Sequence, residues 1–153
     1  MDIKGIIGEY PFFTSGSTIL KYNNYFVDGL NCFLNTGGNA DIKIYYGKAA
    51  YSTDTWSIYA KNNMTSYMYL LLFTAKDELY KKYFKGTGLK HLQKPMLKSK
   101  NIYIPSKNEI GKFNSYADKI YAQISQNIRE NAKLMLLRNF ILPLLINGQA
   151  TIS

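Results

Sequence analysis

The sequence predicts an α+β fold, in which a small, mainly antiparallel β domain with one packed helix precedes a long C-terminal helix. Three observations support this prediction. Apolar and polar residues alternate in several short runs between residues 30 and 60, as they do in half-buried strands. Near Ser66 the apolar period lengthens from two residues to that of a helix. Ser106 and Glu109 then form a potential capping box, after which apolar side chains recur at helical spacing as far as Leu142.

The first sixty residues are predicted to form short strands joined by tight turns. Residues 30–34 form a candidate buried strand, and residues 42–46 alternate as a half-buried strand does. Between them lies Asn35-Thr36-Gly37-Gly38-Asn39, a strong turn signal because glycine and asparagine tolerate positive φ angles. Residues 51–60 are predicted to form a further strand pair around Trp56.

A single helix is predicted over residues 66–84. Its apolar face carries Met68, Leu72, Ala75, Leu79 and Tyr83. The sequence Gly86-Thr87-Gly88 ends this helix, and a basic connection follows over residues 90–100. Residues 102–105 are predicted to form a short final strand.

The long helix is predicted to run from about residue 107 to residue 142, a length of roughly 54 Å at 1.5 Å per residue. Such a rod is too long to be buried against the residues before it, so we expect it to pair with another helix as an antiparallel coiled coil. Asn127 and Asn131 interrupt its apolar side, and buried asparagine can fix register in coiled coils. An ordinary amphipathic helix lying on its own domain is the alternative. Candidate pairing residues are Ile110, Ala117, Ile120, Tyr121, Ile124, Ile128, Leu134 and Met135.

Two regions follow from these elements. We expect a globular domain over residues 1–105, and a long pairing helix with its tail over residues 106–153. Pro143 and Gly148 predict a kink and a C-terminal stop for the helix.

Positive charge is concentrated in one short segment. The formal net charge is +9, but residues 1–75 hold five basic and five acidic side chains. Residues 76–100 hold eight lysines against Asp77 and Glu78, and residues 101–153 supply the remaining +3. A local basic cluster of this kind indicates a polyanionic partner, most often nucleic acid. Part of it could instead complement the dipole at a helix C-terminus.

Sequence features of other protein classes are missing. The chain has no signal-peptide pattern and no apolar run long enough for a membrane span, and a single cysteine, Cys32, fits a reducing cytoplasm. Cys32 and the single histidine, His91, cannot form a zinc site, and we find no nucleotide, methyltransferase or hydrolase motif. We therefore expect no cofactor and no catalysis. A Mg²⁺-dependent nuclease using Asp28, Asp41 and Lys43 is a weaker alternative.

Three separated segments resemble the specificity subunit of type I restriction–modification systems. The first is Gly8-Glu9-Tyr10-Pro11-Phe12-Phe13-Thr14-Ser15-Gly16, with the turn at residues 34–38 and residues 52–55 after it. The second is Gly86-Thr87-Gly88-Leu89-Lys90-His91-Leu92. The third combines Glu130-Asn131-Ala132-Lys133-Leu134 with residues 137–145 and Asn147-Gly148, and it is similar to the conserved helix of that family.

The resemblance implies one DNA target-recognition domain plus one spacer helix. Family members usually carry two such units, whose helices pair antiparallel and hold two domains on a bipartite site, so this chain corresponds to a half-length or truncated form. Implied partners are double-stranded DNA, methyltransferase subunits, a restriction subunit, and either a second copy or another specificity unit. The alternative is a non-catalytic helix-pairing or antirestriction-like protein with little DNA specificity.

On this interpretation, DNA contacts divide into two sets. Phosphate contacts are expected from lysines in the basic segment, which provide affinity without sequence information: Lys81, Lys82, Lys85, Lys90 and Lys94. Base contacts require amides and hydroxyls in nearby loops, for which the candidates are Asn35, Asn39, Ser52, Thr53 and Thr55. For each of these five taken singly, ordinary turn chemistry is the favoured role.

Overall fold

The computed structural model describes residues 8–148; the outer limits of the two predicted regions, at residues 1 and 153, lie outside that range. The chain is α+β, as predicted. Its strands are β1 (Tyr10–Phe13), β2 (Leu20–Tyr22), β3 (Leu30–Asn35), β4 (Ile42–Tyr46), β5 (Ala50–Tyr51), β6 (Thr55–Ile58), β7 (Phe84–Lys85) and β8 (His91–Leu92). Its helices are α1 (Thr65–Thr74), α2 (Lys76–Tyr83), α3 (Lys94–Lys98) and α4 (Lys107–Ile146).

The described strands form three small sheets. Their strand orders are β2-β1-β5, β4-β3-β6 and β7-β8. Every pairing is antiparallel except that of β1 with β5, which is parallel. The predicted strand pair over residues 51–60 is therefore wrong in detail, because β5 and β6 pair within different sheets.

Strand β3 separates two apolar clusters, because successive side chains of a strand point to opposite faces. Cys32 and Leu34 face a cluster that includes side chains of α1, α2 and α4. Phe33 faces the other way and stacks on Phe13 with ring centroids 4.1 Å apart. Burial raises the pKa of the Cys32 thiol to about 12, which keeps it neutral and unreactive at ordinary pH.

The helix predicted over residues 66–84 forms as two consecutive helices. The break falls at Ala75, directly after Thr74, whose hydroxyl donates to the carbonyl oxygens of Leu70 and Leu71. Back-bonding by threonine bends helices, which gives a physical reason for the break. The strand predicted at residues 102–105 is wrong, since these residues have no regular secondary structure and three of them are exposed.

Helix α4 begins and ends close to the predicted positions. The Ser106 side chain accepts the amide of Glu109, and the Glu109 carboxylate accepts the amide of Ser106, so both halves of the capping box are present. Pro143 lies within the helix rather than at its end. Gly148 follows the C-cap residue Asn147 with a φ of +67°, a conformation that glycine adopts without strain.

Only the first part of α4 packs on the rest of the chain. Ile110, Ala117 and Tyr121 are buried against the domain, and Ser125 is fully buried. The Ser125 hydroxyl accepts the Tyr46 amide at 2.8 Å and thereby fixes the edge of β4 to the helix. From residue 133 to residue 143 every side chain is exposed. Although α4 is long, no helix of residues 8–148 is apolar enough over a sufficient length to cross a membrane.

Candidate nucleic-acid interface

The glycine turn after β3 is joined to the β7–β8 hairpin. The Leu92 amide donates to the Thr36 carbonyl oxygen at 2.9 Å, and the Gly38 amide donates to the Lys90 carbonyl oxygen at 2.9 Å. Gly38 has a φ of +77°, which a residue with a side chain rarely adopts. A Cβ atom on Gly37 would lie 3.6 Å from the His91 ring. Two segments more than fifty residues apart therefore present one continuous surface.

Lysines surround this surface. Phe84 and Leu92 of the hairpin are buried, whereas Lys85 and His91, which are paired across the two strands, are exposed. Lys81 is exposed near the end of α2, four residues before Lys85 of β7. The hairpin thus directs its apolar side chains inward and its basic side chains outward.

Three of the eight lysines in this segment have carboxylate partners. Lys76 pairs with Asp41 at 3.3 Å, and both Lys82 and Lys100 pair with Glu78, at 3.1 and 2.8 Å. Hydrogen bonds from Lys100 and Lys82 lower the pKa of Glu78, so that the carboxylate stays ionised. Within residues 8–148, five lysines of the segment have no ion-pair partner: Lys81, Lys85, Lys90, Lys94 and Lys98. We call these five the basic patch.

Aromatic rings support part of the basic patch. The Lys90 ammonium lies 4.4 Å from the centroid of the Tyr80 ring. Lys94 and Lys98, one turn apart on α3, place their ammonium groups 5.3 and 5.6 Å from the centroid of the Trp56 ring. Aromatic faces attract cations, and the long side chains of lysine can cover a ring while the charged end stays in water. These contacts hold positive charge at the surface without neutralising it.

The predicted phosphate-contacting lysines differ in whether they have a carboxylate partner. Lys81, Lys85, Lys90 and Lys94 belong to the basic patch, whereas Lys82 is engaged by Glu78. Sequence reasoning did not select Lys98 or Trp56. The spacing of four residues between Lys94 and Lys98 was a signal that both ammonium groups could reach one site, but the ring beneath them lies in a distant strand.

The predicted base-reading residues include both buried and exposed side chains. Asn35 is buried, and its amide nitrogen donates to the carbonyl oxygens of Ser15 and Asn39 while its side-chain oxygen accepts from Lys43. Ser52 and Thr55 are buried as well, with their hydroxyls in contact with each other at 3.2 Å.

Asn39 and Thr53 are exposed. Buried groups with internal hydrogen bonds cannot reach a base edge without disrupting the turn, so we assign Asn35, Ser52 and Thr55 to the turn's support. Asn39 and Thr53 are the members of the predicted set that a base could reach.

The residues predicted for helix pairing lie on more than one side of α4. Ile110, Ala117 and Tyr121 are covered by the chain's own domain, and Ile128 is half-buried against the cluster around Phe33. The side chains that the domain leaves exposed are Ile120, Ile124, Leu134 and Met135. Of the residues predicted for pairing, these four are therefore the ones that a partner helix could contact.

The nuclease alternative lacks the required geometry. Asp28 precedes β3, whereas Asp41 precedes β4 and its carbonyl oxygen accepts the Asn35 amide at the far end of β3. These two carboxylates are thus at opposite ends of an antiparallel pair, about 20 Å apart at the usual rise of a strand. In the described part of the chain, no group of three or more potential metal-binding side chains is found.

A surface cluster of lysines such as the basic patch is the electrostatic footprint of a nucleic-acid-binding module. The family model for the type I restriction modification DNA specificity domain matches residues 7–134. The chain belongs to this family. Its members recognise the DNA target of a restriction–modification system, and the domain is in general non-catalytic. A comparison with curated proteins found no match.

Proposed function

We propose that this chain recognises one half of a bipartite DNA target and joins that recognition to methyltransferase subunits, without catalysing a reaction itself. The observation that carries the proposal is the basic patch, whose five lysines have no carboxylate partner within residues 8–148 and whose Lys90 carbonyl oxygen accepts the Gly38 amide of the turn at residues 36–38. The family match supports DNA as the polyanion.

The basic patch and the turn would contribute to different parts of DNA binding. Ammonium groups contact phosphates of any sequence, so the patch would supply affinity and orientation. Asn39 and Thr53 lie on exposed turns at the ends of β-strands, where an amide or a hydroxyl can reach a base edge.

The exposed second half of α4 would pair with a helix of a second copy or of another specificity unit. Contiguous exposed apolar surface usually marks an interaction site. This half carries Leu134, Met135, Leu136, Leu137, Phe140, Ile141 and Leu142, all exposed. Pairing along α4 would leave the basic patches of two domains free to contact separate half-sites.

Selection from a pool of random duplexes tests the proposal. We expect repeated rounds of capture by the full-length chain to enrich a defined short sequence or a symmetric pair of half-sites. The enriched duplex should bind at least about a thousandfold more tightly than random DNA, the lower end for specific recognition. Binding of every sequence alike, with the helix still forming complexes, would favour the alternative of a helix-pairing protein with little DNA specificity.

A further inference from the structure

The tip of the β7–β8 hairpin carries an exposed leucine. Leu89 is 65% exposed, whereas Phe84 and Leu92, the apolar residues of the two strands, are 1% and 7% exposed. Between Phe84 and Lys90, Leu89 is the one apolar side chain in the sequence apart from the glycines. The hairpin therefore buries its strand residues in the core and presents this leucine to solvent.

Positive charge flanks Leu89 along the chain. Lys85 precedes the tip and Lys90 follows Leu89 directly, and both lysines belong to the basic patch. Attraction to phosphates needs only the ammonium groups, so it gives no role to a large apolar side chain at this place. The faces of the bases are the apolar surface that DNA offers to such a side chain, and they become accessible where a base step is opened.

The Leu89 side chain lies beside the glycine turn after β3. A Cβ atom on Gly37 would lie 3.9 Å from Leu89 Cδ2, and a Cβ atom on Gly38 would lie 3.9 Å from Leu89 Cδ1. The hydrogen bond from the Gly38 amide to the Lys90 carbonyl oxygen fixes the chain next to Leu89 at the same turn. One side of the leucine is thus supported by the turn, while most of its surface stays in solvent.

Two glycines make the tip narrow. Gly86 has a φ of +142°, and a Cβ atom there would lie 2.8 Å from the Leu89 carbonyl oxygen and 3.3 Å from Lys90 Cα. A residue with a side chain would therefore prevent the chain from returning so close to itself. Gly88 has no atom within 4 Å of the position of a Cβ, so it faces open space. The tip is a slender projection whose apolar group is Leu89.

We propose that Leu89 is a wedge that inserts between two base pairs of the bound duplex and partially unstacks them. The inference rests on the DNA recognition proposed above, and it specifies how the domain deforms its target. Apolar side chains, leucine among them, act as wedges in proteins that kink DNA, where the bent duplex then contacts more of the protein surface. The basic patch provides the phosphate contacts that accompany such a bend.

A wedge makes affinity depend on how easily a base step opens. Unstacking costs free energy, and the cost is lower where a base is mismatched than where it is paired. The free energy saved at a mismatch therefore strengthens binding. Contacts between lysines and phosphates are the same in both duplexes, because they carry no sequence information. Preference for a mismatched duplex thus reports the wedge, and the salt dependence of binding reports the lysines.

Competition between two duplexes of about 20 base pairs tests the wedge. The duplexes share one sequence, except that the second has a single central cytosine–cytosine mismatch. We expect the full-length chain to bind the mismatched duplex at least about tenfold more tightly, equivalent to 1.4 kcal/mol. The change Leu89→Ala should bring the two dissociation constants to within about twofold of each other, while the slope of log K against log salt stays unchanged.

Three further variants show which property of Leu89 matters. Leu89→Gln keeps a side chain of similar length but ends it in a polar amide, so the preference should be lost. Leu89→Phe keeps an apolar side chain and should retain the preference. As a matched control, Leu134→Ala removes a leucine that is 60% exposed on α4, outside the hairpin, and should leave the preference unchanged.

Energy transfer between fluorophores at the two ends of the mismatched duplex provides an independent readout. A wedge kinks DNA by roughly 20–90°, which brings the two ends closer together. We expect transfer to rise when the original chain saturates the duplex, and to rise less with Leu89→Ala at equal saturation.

Three outcomes would overturn the inference. Equal affinity of the original chain for both duplexes, with a steep salt dependence, would show that the basic patch binds DNA without a wedge, and the proposed function would stand. A mismatch preference that survives in Leu89→Ala would assign the wedge to another residue. Failure of the original chain to bind either duplex would contradict DNA recognition itself, and the wedge with it.

Discussion

Asn35 and Asn39 lie at the two ends of one turn, and their side-chain amides have different environments. The Asn35 amide is buried, donates to the Ser15 and Asn39 carbonyl oxygens and accepts from Lys43. The Asn39 side chain is exposed. A residue that supports a turn and a residue that contacts a ligand should therefore respond differently to the same substitution.

Replacing each asparagine by alanine separates these roles. We expect Asn35→Ala to lower the free energy of unfolding by about 1–3 kcal/mol, because it removes two hydrogen bonds that the buried Asn35 side chain donates, each worth about 0.5–1.5 kcal/mol. Asn39→Ala should leave stability within about 0.5 kcal/mol of the original, as for most surface changes. It should instead reduce the preference for target over random DNA. Denaturant unfolding and competition binding measure the two effects, and equal destabilisation by both variants would contradict the assignment.

At the scale of single residues, the sequence predicted the basic segment. It did not predict which lysines of the segment form ion pairs with carboxylates. A count of charges finds the lysines between residues 76 and 100, because it needs only their positions along the chain. The engagement of Lys76 by Asp41 depends on how α2 lies against the start of β4, and such contacts are absent from any local pattern. Burial of Asn35 is likewise set by the turn's packing, whereas its sequence context is that of an exposed loop.

Ser125 shows how one small side chain holds two elements together. It is fully buried, its hydroxyl accepts the Tyr46 amide from the end of β4, and it donates to the Tyr121 carbonyl oxygen one turn earlier in α4. Arg129, one turn further on, donates to the Tyr46 carbonyl oxygen at 3.2 Å. Both backbone polar groups of Tyr46 thus contact α4.

The change Ser125→Ala should lower the free energy of unfolding by about 0.5–1.5 kcal/mol, the typical net contribution of one hydrogen bond. Ser115→Ala is a matched control, because Ser115 is exposed and bonds only within α4. We expect the control to remain within about 0.5 kcal/mol of the original chain. Thermal and denaturant unfolding would measure both; equal losses would mean that the β4 contact contributes little.

At the scale of elements, local signals predicted the fold where they were strong. The capping box placed the start of α4, the turn signal at residues 35–39 placed the end of the buried strand β3, and alternation placed β4. The parallel pairing of β1 with β5 was not predicted, since strand partners more than thirty residues apart leave no local signal. The predicted strand at residues 102–105 failed because an apolar run is a strand only where another strand edge lies within reach.

The whole molecule combines a DNA-facing domain with a helix that extends beyond it. The side of α4 that packs on the domain is centred near Tyr121, whereas every side chain from residue 133 to residue 143 of the same helix is exposed. The domain therefore covers only the first part of the helix.

The central claim is that the basic patch contacts the DNA backbone, and the salt dependence of binding tests it most directly. Removing one lysine–phosphate contact should reduce the slope of log K against log salt by about 0.9 on duplex DNA. Changing Lys81, Lys85 and Lys90 together to glutamine should therefore flatten the slope by up to roughly 2.7 per domain and weaken all sequences alike.

The matched control changes three exposed lysines of α4 to glutamine, which removes the same charge from a surface outside the patch: Lys107, Lys112 and Lys119. The slope measured by titration at several salt concentrations should fall for the patch variant and stay near the original for the control. A patch variant that keeps the full slope, together with an α4 variant whose slope falls, would contradict the assignment and move the DNA-binding surface to the helix.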